Sequence, residues 1–242
     1  MAYCKEMMHV VQQGDTFYRL AQRYQTTVPD IIMRNPGINP YNLQTGTKLN
    51  ICSGKMDDES NRDEPNKDQL DLNNDLRQAW MEHVFWVLMY ISAYLNNTPD
   101  LQAVMDRLEQ TPEDITAAFD NFYSQNTVNQ LTMLLSQHTS MTADLITAMR
   151  DENTAAIEEL DRQMTQNVEN IARYLSNANP KYNYDELLRG LKMHLVTTKR
   201  EIQAALNNNY SEEVRLFDEN TNQVLQLADY LTQGLISQFY PS

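Results

Sequence analysis

The chain has 242 residues, 41% of them hydrophobic and 21% charged, enough for one or two domains with buried cores and too apolar for a disordered chain. Its 19 Lys and Arg against 33 Asp and Glu leave a net charge of −14, and a surface of that sign repels nucleic-acid phosphates and anionic lipid headgroups. The longest apolar run, Val84 to Ile91, is eight residues, far short of the ~20 that a membrane helix needs, so no membrane span is expected. Two cysteines cannot make a disulfide scaffold or a four-cysteine zinc site. The opening MAYCKEMMHVV holds one lysine and no apolar segment leading to a small-residue cleavage site, so it reads as lacking a secretion signal, with synthesis in the cytoplasm.

Glycine and proline placement divides the chain. Gly14, Gly37, Gly46, Gly54, Pro29, Pro36 and Pro40 all precede residue 55, where short elements and turns are expected. Residues 56–75 carry eight acidic and two basic side chains with little to bury, the composition of a solvated linker. Beyond it, apolar residues recur three and four apart over long stretches, the period of helices. The reading is an α+β domain of βααβ order at 1–54, an acidic flexible linker at 55–72, and an all-α up-down helical bundle at 73–242. Charge follows the same division: residues 1–55 sum to +3, residues 56–75 to −6 and the remainder to −11.

In chain order, β-branched residues predict a strand over Met8 to Gln12, then a turn at Gly14, Asp15 and Thr16 whose side chains can cap a helix. That helix runs from Phe17 to Tyr24 with Leu20, Ala21 and Tyr24 on one face. A second helix starts at Thr27 with Pro29 in its first turn, buries Ile31 and Ile32, and is stopped by Asn35-Pro36. Leu49 and Ile51 point inward from a closing strand. So small a core is marginal, and Cys4 and Cys52, just outside the two strands, are the candidates to staple it; closing a loop of that length contributes ~4 kcal/mol in the chain-entropy model.

His9 through Ala21, then Tyr24, Thr26-Thr27-Val28, Asn35-Pro36, Ile38, Leu43, Gly46, Leu49 and Ile51 together resemble a LysM domain over residues 9–51. Phe17, where Leu is usual, and Gln25, where Gly often ends the first helix, depart from the pattern. The resemblance implies binding of peptidoglycan or a chitin-like N-acetylglucosamine (GlcNAc) glycan in a shallow groove between two loops. Carried over, the glycan-binding loops are Gly14, Asp15, Thr16 and Phe17, and Asn35, Pro36, Gly37 and Ile38. Turns with Gly and Pro expose the backbone N–H and C=O groups that acetamido groups require, and Phe17 or Tyr18 would supply an apolar wall. The competing reading is that Asp15 and Thr16 only cap a helix and Asn35-Pro36 only ends one.

In the helical part, histidines fall at 83, 138 and 194, separated by 55 and 56 residues. Aligned on them, Leu76, Leu131 and Leu187 match, as do Trp80, Leu135 and Leu191; Val87, Thr142 and Thr198; Ile91, Ile146 and Ile202; and Ala93, Ala148 and Ala204. This predicts three tandem helical hairpins of about 55 residues, the first with a return helix split by Pro99 and Pro112. The four-and-three spacing of the matched positions is that of a bundle-facing stripe, so the histidines point inward. Two meanings compete. Polar packing of His83, His138 and His194 with Thr142 and Thr198 is the plain one. The alternative is a divalent metal (zinc, manganese or iron) held by the three histidines, with Glu201 on the same stripe and Asp144, Asp161 and Asp218 nearby.

An enzyme is the third reading. LysM modules often accompany wall hydrolases, but both cysteines lie in or beside the N-terminal module, and the helical part has few turns from which to shape a cleft. The sequence therefore points to a bacterial cell-wall or spore-envelope protein that binds glycan through LysM and uses its bundle for scaffolding, protein partners or self-association. LysM joined to a histidine-bearing bundle also resembles proteins of spore-forming Firmicutes.

Overall fold

The computed structural model describes residues 5–12, 15, 17–24, 26, 31, 33–36, 38, 45–53 and 67–240. It divides into two compact units, Met1–Glu64 and Pro65–Ser242.

In the first unit, β1 (Lys5–Val10) pairs antiparallel with β2 (Lys48–Ser53), with His9 opposite Leu49 and Met7 opposite Ile51. α1 spans Phe17–Tyr24, the bounds predicted from the sequence. Alternation sets the core: His9, Val11, Leu49 and Ile51 face inward onto Leu20, Ala21 and Ile31, while Met8 and Val10 face out. The strand predicted from Met8 to Gln12 starts three residues earlier and ends at Val10. The cause is register, since Lys5, Glu6 and Met7 find partners in Ser53, Cys52 and Ile51. Past Val10 the ladder yields to a turn in which Gly46 N–H donates to Val11 O at 2.8 Å and Gly46 takes φ +90°, a conformation open to glycine.

The second unit is helical throughout: α2 (Lys67–Asn96), α3 (Leu101–Leu108), α4 (Thr111–Ala117), α5 (Gln125–Arg150), α6 (Thr154–Ala178), α7 (Tyr184–Leu206) and α8 (Tyr210–Phe239). α2 begins inside the stretch expected to be linker, because Leu72 and Leu76 already reach the core; residues 55–66 lie outside the described residues. Each helix touches the next around a closed ring, with the short α3 and α4 together filling one place in it and α8 returning to α2. The helices α2, α5 and α7, which carry the three histidines, also touch one another across the interior.

All five aligned sets of the sequence are buried in α2, α5 and α7. They form two apolar clusters. One gathers Leu76, Trp80, Leu131, Leu135, Leu187 and Leu191, and the other Val87, Ile91, Ile146 and Ile202. The histidines lie between them.

The three helices also end alike. Asn97, Glu152 and Asn208, each fourteen residues after its histidine, take φ of 50°, 53° and 54°. The following N–H groups, of Thr98, Asn153 and Asn209, donate back to the carbonyls of Ala93, Ala148 and Ala204 at 3.0, 2.9 and 2.9 Å. This is the six-to-one bond of a Schellman stop, and it lands on the repeated alanines. Asn153 and Asn209 then cap the next helices by accepting from Ala156 N–H and Glu212 N–H.

Candidate functional site

Two candidate sites come from the sequence, and each lies within its own unit. In the first, Asp15 is 5% exposed at its side chain and fully engaged. Its Oδ2 accepts from Gln12 N–H at 2.8 Å and from His9 Nε2 at 2.7 Å, and Arg23 lies 3.5 Å away. The Gln12 amide is the leading cause, ahead of His9, that holds this carboxyl below its ordinary range. His9 Nδ1 makes a hydrogen bond of 2.8 Å with the Tyr24 hydroxyl. The Asp15 turn is thereby clamped to the end of β1 and the end of α1.

Asn35 does the same for the second loop. Its amide donates to Ile31 O at 2.7 Å and Asn50 O at 2.9 Å, and its Oδ1 accepts from Asn50 N–H at 2.8 Å. One side chain thus serves both outward backbone groups of a β2 residue. Pro36 is exposed and Ile38 half-buried against the small core. Of the loop residues expected to meet glycan, Gly14, Thr16, Gly37 and the Phe17 side chain lie outside the described residues, as does Cys4. Cys52 is buried on β2, and no described cysteine is free. A depression of about 370 Å³ that the sequence did not indicate is lined by Glu6, Met7, Met8, Arg34, Asn50 and Ile51.

In the second unit the three inward histidines meet. Ring centroids of His83, His138 and His194 are 5.6 to 6.3 Å apart, and one ligand nitrogen from each lies within 4.8 Å of the other two. All are buried. Burial is the main force lowering their pKa values, with the neighbouring rings adding to it at His83 and His138; His138 falls to about 3. The imidazoles are therefore neutral at pH 7.

Their tautomers follow from their partners. His194 Nδ1 is 2.7 Å from Asn220 Oδ1, an atom that can only accept. His83 Nδ1 is 2.9 Å from Thr111 Oγ1, whose own proton goes to Leu108 O. Both rings therefore carry their proton on Nδ1 and keep the Nε2 lone pair. His138 Nδ1 has no hydrogen-bond partner among the described residues, and neither do its cavity neighbours Trp80 Nε1 and Thr139 Oγ1. These five side chains line a cavity of about 10 Å³, room for one water-sized occupant.

The carboxylates sort differently from expectation. Glu201 is fully buried, but it stands outside the ring cluster, reaching His194 only through Asn220, whose amide donates to Glu201 Oε2 at 3.3 Å and to Thr198 at 3.0 Å. Burial, ahead of its other influences, raises its pKa to about 7. Asp144 and Asp218 are exposed, and Asp161 is paired with Lys199. Charged groups with solvent or a lysine in reach do not desolvate to join a cluster. Thr142 turns its hydroxyl to His138 O. The sequence reading missed Thr111, Asn220 and Asn167, the last a buried amide that donates to Leu134 O at 3.0 Å and acts on His138 by a side-chain hydrogen bond. A signal for the last two existed: Asn220 interrupts the apolar row Leu216, Val224, Leu227 on α8, and Asn167 the row Met164, Val168, Ile171 on α6.

No helix of the described residues is long and apolar enough to cross a membrane. No similar curated protein and no similar solved structure was found for the chain. The family model for the LysM domain matches residues 9–51, the stretch that holds the His9–Asp15 clamp and the Asn35 lock. Residues 9–51 are a LysM domain, and a helical region follows it in the chain.

Proposed function

We propose that this is a non-enzymatic cell-wall or spore-envelope protein in which the LysM domain holds a GlcNAc-containing glycan and the helical unit serves as an interaction or scaffold module. The match of residues 9–51 to the LysM domain carries the reading. The side chains of Asp15 and Asn35 are committed to internal bonds, which supports a groove built from loop backbone and the exposed Pro36, with Gly14, Thr16, Phe17, Gly37 and Ile38 completing it. The small size of the bundle's cavity, with room for one water-sized occupant, favours a binding or structural role there over turnover of a polymer. The Cys4–Cys52 bridge is part of the proposal, as it closes the small domain.

Sedimentation of the full chain with purified peptidoglycan and with chitin tests the function. Retention on either polymer, lost when residues 1–54 are deleted, is expected. Retention equal to that of the isolated helical unit overturns it.

A further inference from the structure

The geometry points to a transition-metal site inside the helical unit, in which one divalent ion of the zinc and iron class is held by the Nε2 atoms of His83 and His194 and a ring nitrogen of His138. The inference is independent of glycan binding.

Four observations converge. Three ligand nitrogens lying within 4.8 Å of one another always share a point no more than about 2.8 Å from each, and drawing each in by roughly 0.7 Å reaches a zinc–imidazole bond of about 2.0–2.1 Å. The rings come from three separate helices, which bring them to one point from three directions. Second, Thr111 and Asn220 accept the Nδ1 protons of His83 and His194. Such outer partners fix the tautomer and aim the lone pair in histidine metal sites. Third, His138 and Thr139 line the cavity, and His138 Nδ1 and Thr139 Oγ1 are buried without a described partner. Left so, each carries the desolvation cost of an unmade hydrogen bond. Fourth, an all-imidazole set suits zinc, copper, iron or nickel, while manganese and magnesium prefer oxygen.

Polar packing alone explains the burial. It does not by itself require that His83 and His194 both hand their Nδ1 proton to an outer partner and keep an unprotonated Nε2 within a cluster of three rings.

The full chain, unfolded with chelator and refolded with one equivalent of metal, gives the test. Calorimetry with zinc should show one ion per chain, and cobalt should give the intense visible band of a tetrahedral nitrogen-ligated site. His138→Ala should weaken zinc binding at least 100-fold. Thr111→Val, which leaves all three rings in place, should weaken it by about 10–100-fold. A refolded wild type that takes up no zinc and gives only the weak octahedral cobalt spectrum overturns the site, and so does zinc affinity unchanged in both variants. The wild-type cobalt spectrum decides the matter even if a variant fails to fold.

Discussion

Asn220 accepts the Nδ1 proton of His194 at 2.7 Å while its amide nitrogen serves Thr198 and Glu201. One side chain on α8 thus holds three buried polar groups of α7. Because all three are buried, its loss leaves several groups unsatisfied at once. Asn220→Ala should cost about 2–4 kcal/mol, measured by urea unfolding of the helical unit. A cost below about 0.5 kcal/mol would mean that the groups find other partners.

The carboxyl of Glu201 gives a pH dependence whose sign can be worked out. Its folded pKa, about 7, stands above the ordinary 4.5, so between those values the unfolded chain has lost a proton that the folded chain keeps, and stability falls as pH rises. The buried histidines act oppositely: their lowered folded pKa values remove stability as pH drops below 6.5. With chelator present the three histidines outweigh the one carboxyl, so stability should rise with pH to about 7 and level off above it. Glu201→Gln should remove the opposing contribution of the carboxyl, gaining about 1–3 kcal/mol at pH 8 and little at pH 4.5. Parallel thermal melts of wild type and variant at the two pH values check this. An equal effect at both would show that Glu201 is not protonated in the fold.

The helical stripes were legible because burial imposes a period: every aligned apolar set, from Leu76, Leu131 and Leu187 to Ala93, Ala148 and Ala204, is inside. α1 was legible from its single apolar face. The hidden part was pairing between elements. Nothing in the Lys5-Glu6-Met7 stretch announces a strand until β2 is beside it, and Thr111 is a partner for His83 only because α4 folds back against α2. Asp161 pairs with Lys199 on the neighbouring α7 and does not join the histidines. Sequence period fixes the face of a helix but not the rotation of its neighbour.

Gly234 makes a close approach. An added Cβ would fall 1.9 Å from the Tyr182 ring, whose hydroxyl donates to Leu231 O at 2.6 Å, while Asn179 donates to Gly234 O at 3.1 Å. The loop between α6 and α7 is docked on α8 through that bare backbone. Gly234→Ala should therefore destabilise by about 2–4 kcal/mol despite the higher helix propensity of alanine. Combining it with Tyr182→Ala should cost less than the sum of the two single changes; a strictly additive double mutant would place the clash elsewhere.

Glu152 is the one non-asparagine among the three helix stops with positive φ. Side chains other than Asn and Gly are strained there. Glu152→Gly should raise stability by about 0.5–1 kcal/mol in the same unfolding assay, and a loss of stability would show that Glu152 makes up its strain by contacts of its side chain.

The LysM domain offers its own measurement. Mass spectrometry of unreduced full-length protein should find Cys4 joined to Cys52, and reduction should lower the melting temperature of that unit alone. Two alkylatable thiols in oxidised protein would refute the bridge.

The common interval from each histidine to its left-handed stop has an engineering consequence. It acts as a ruler, with the turn as the fixed mark and the imidazole as the reading. Inserting one residue between His138 and Glu152 would rotate everything upstream on α5 by about 100° and shift it by about 1.5 Å, swinging that ring out of the layer while leaving the helix intact. The same insertion after Asn97, in the stretch leading to α3, would leave all three rulers unchanged. Chains built on this plan are free to exchange what fills the two apolar clusters, but a change of length inside any one interval takes its imidazole out of reach of the other two.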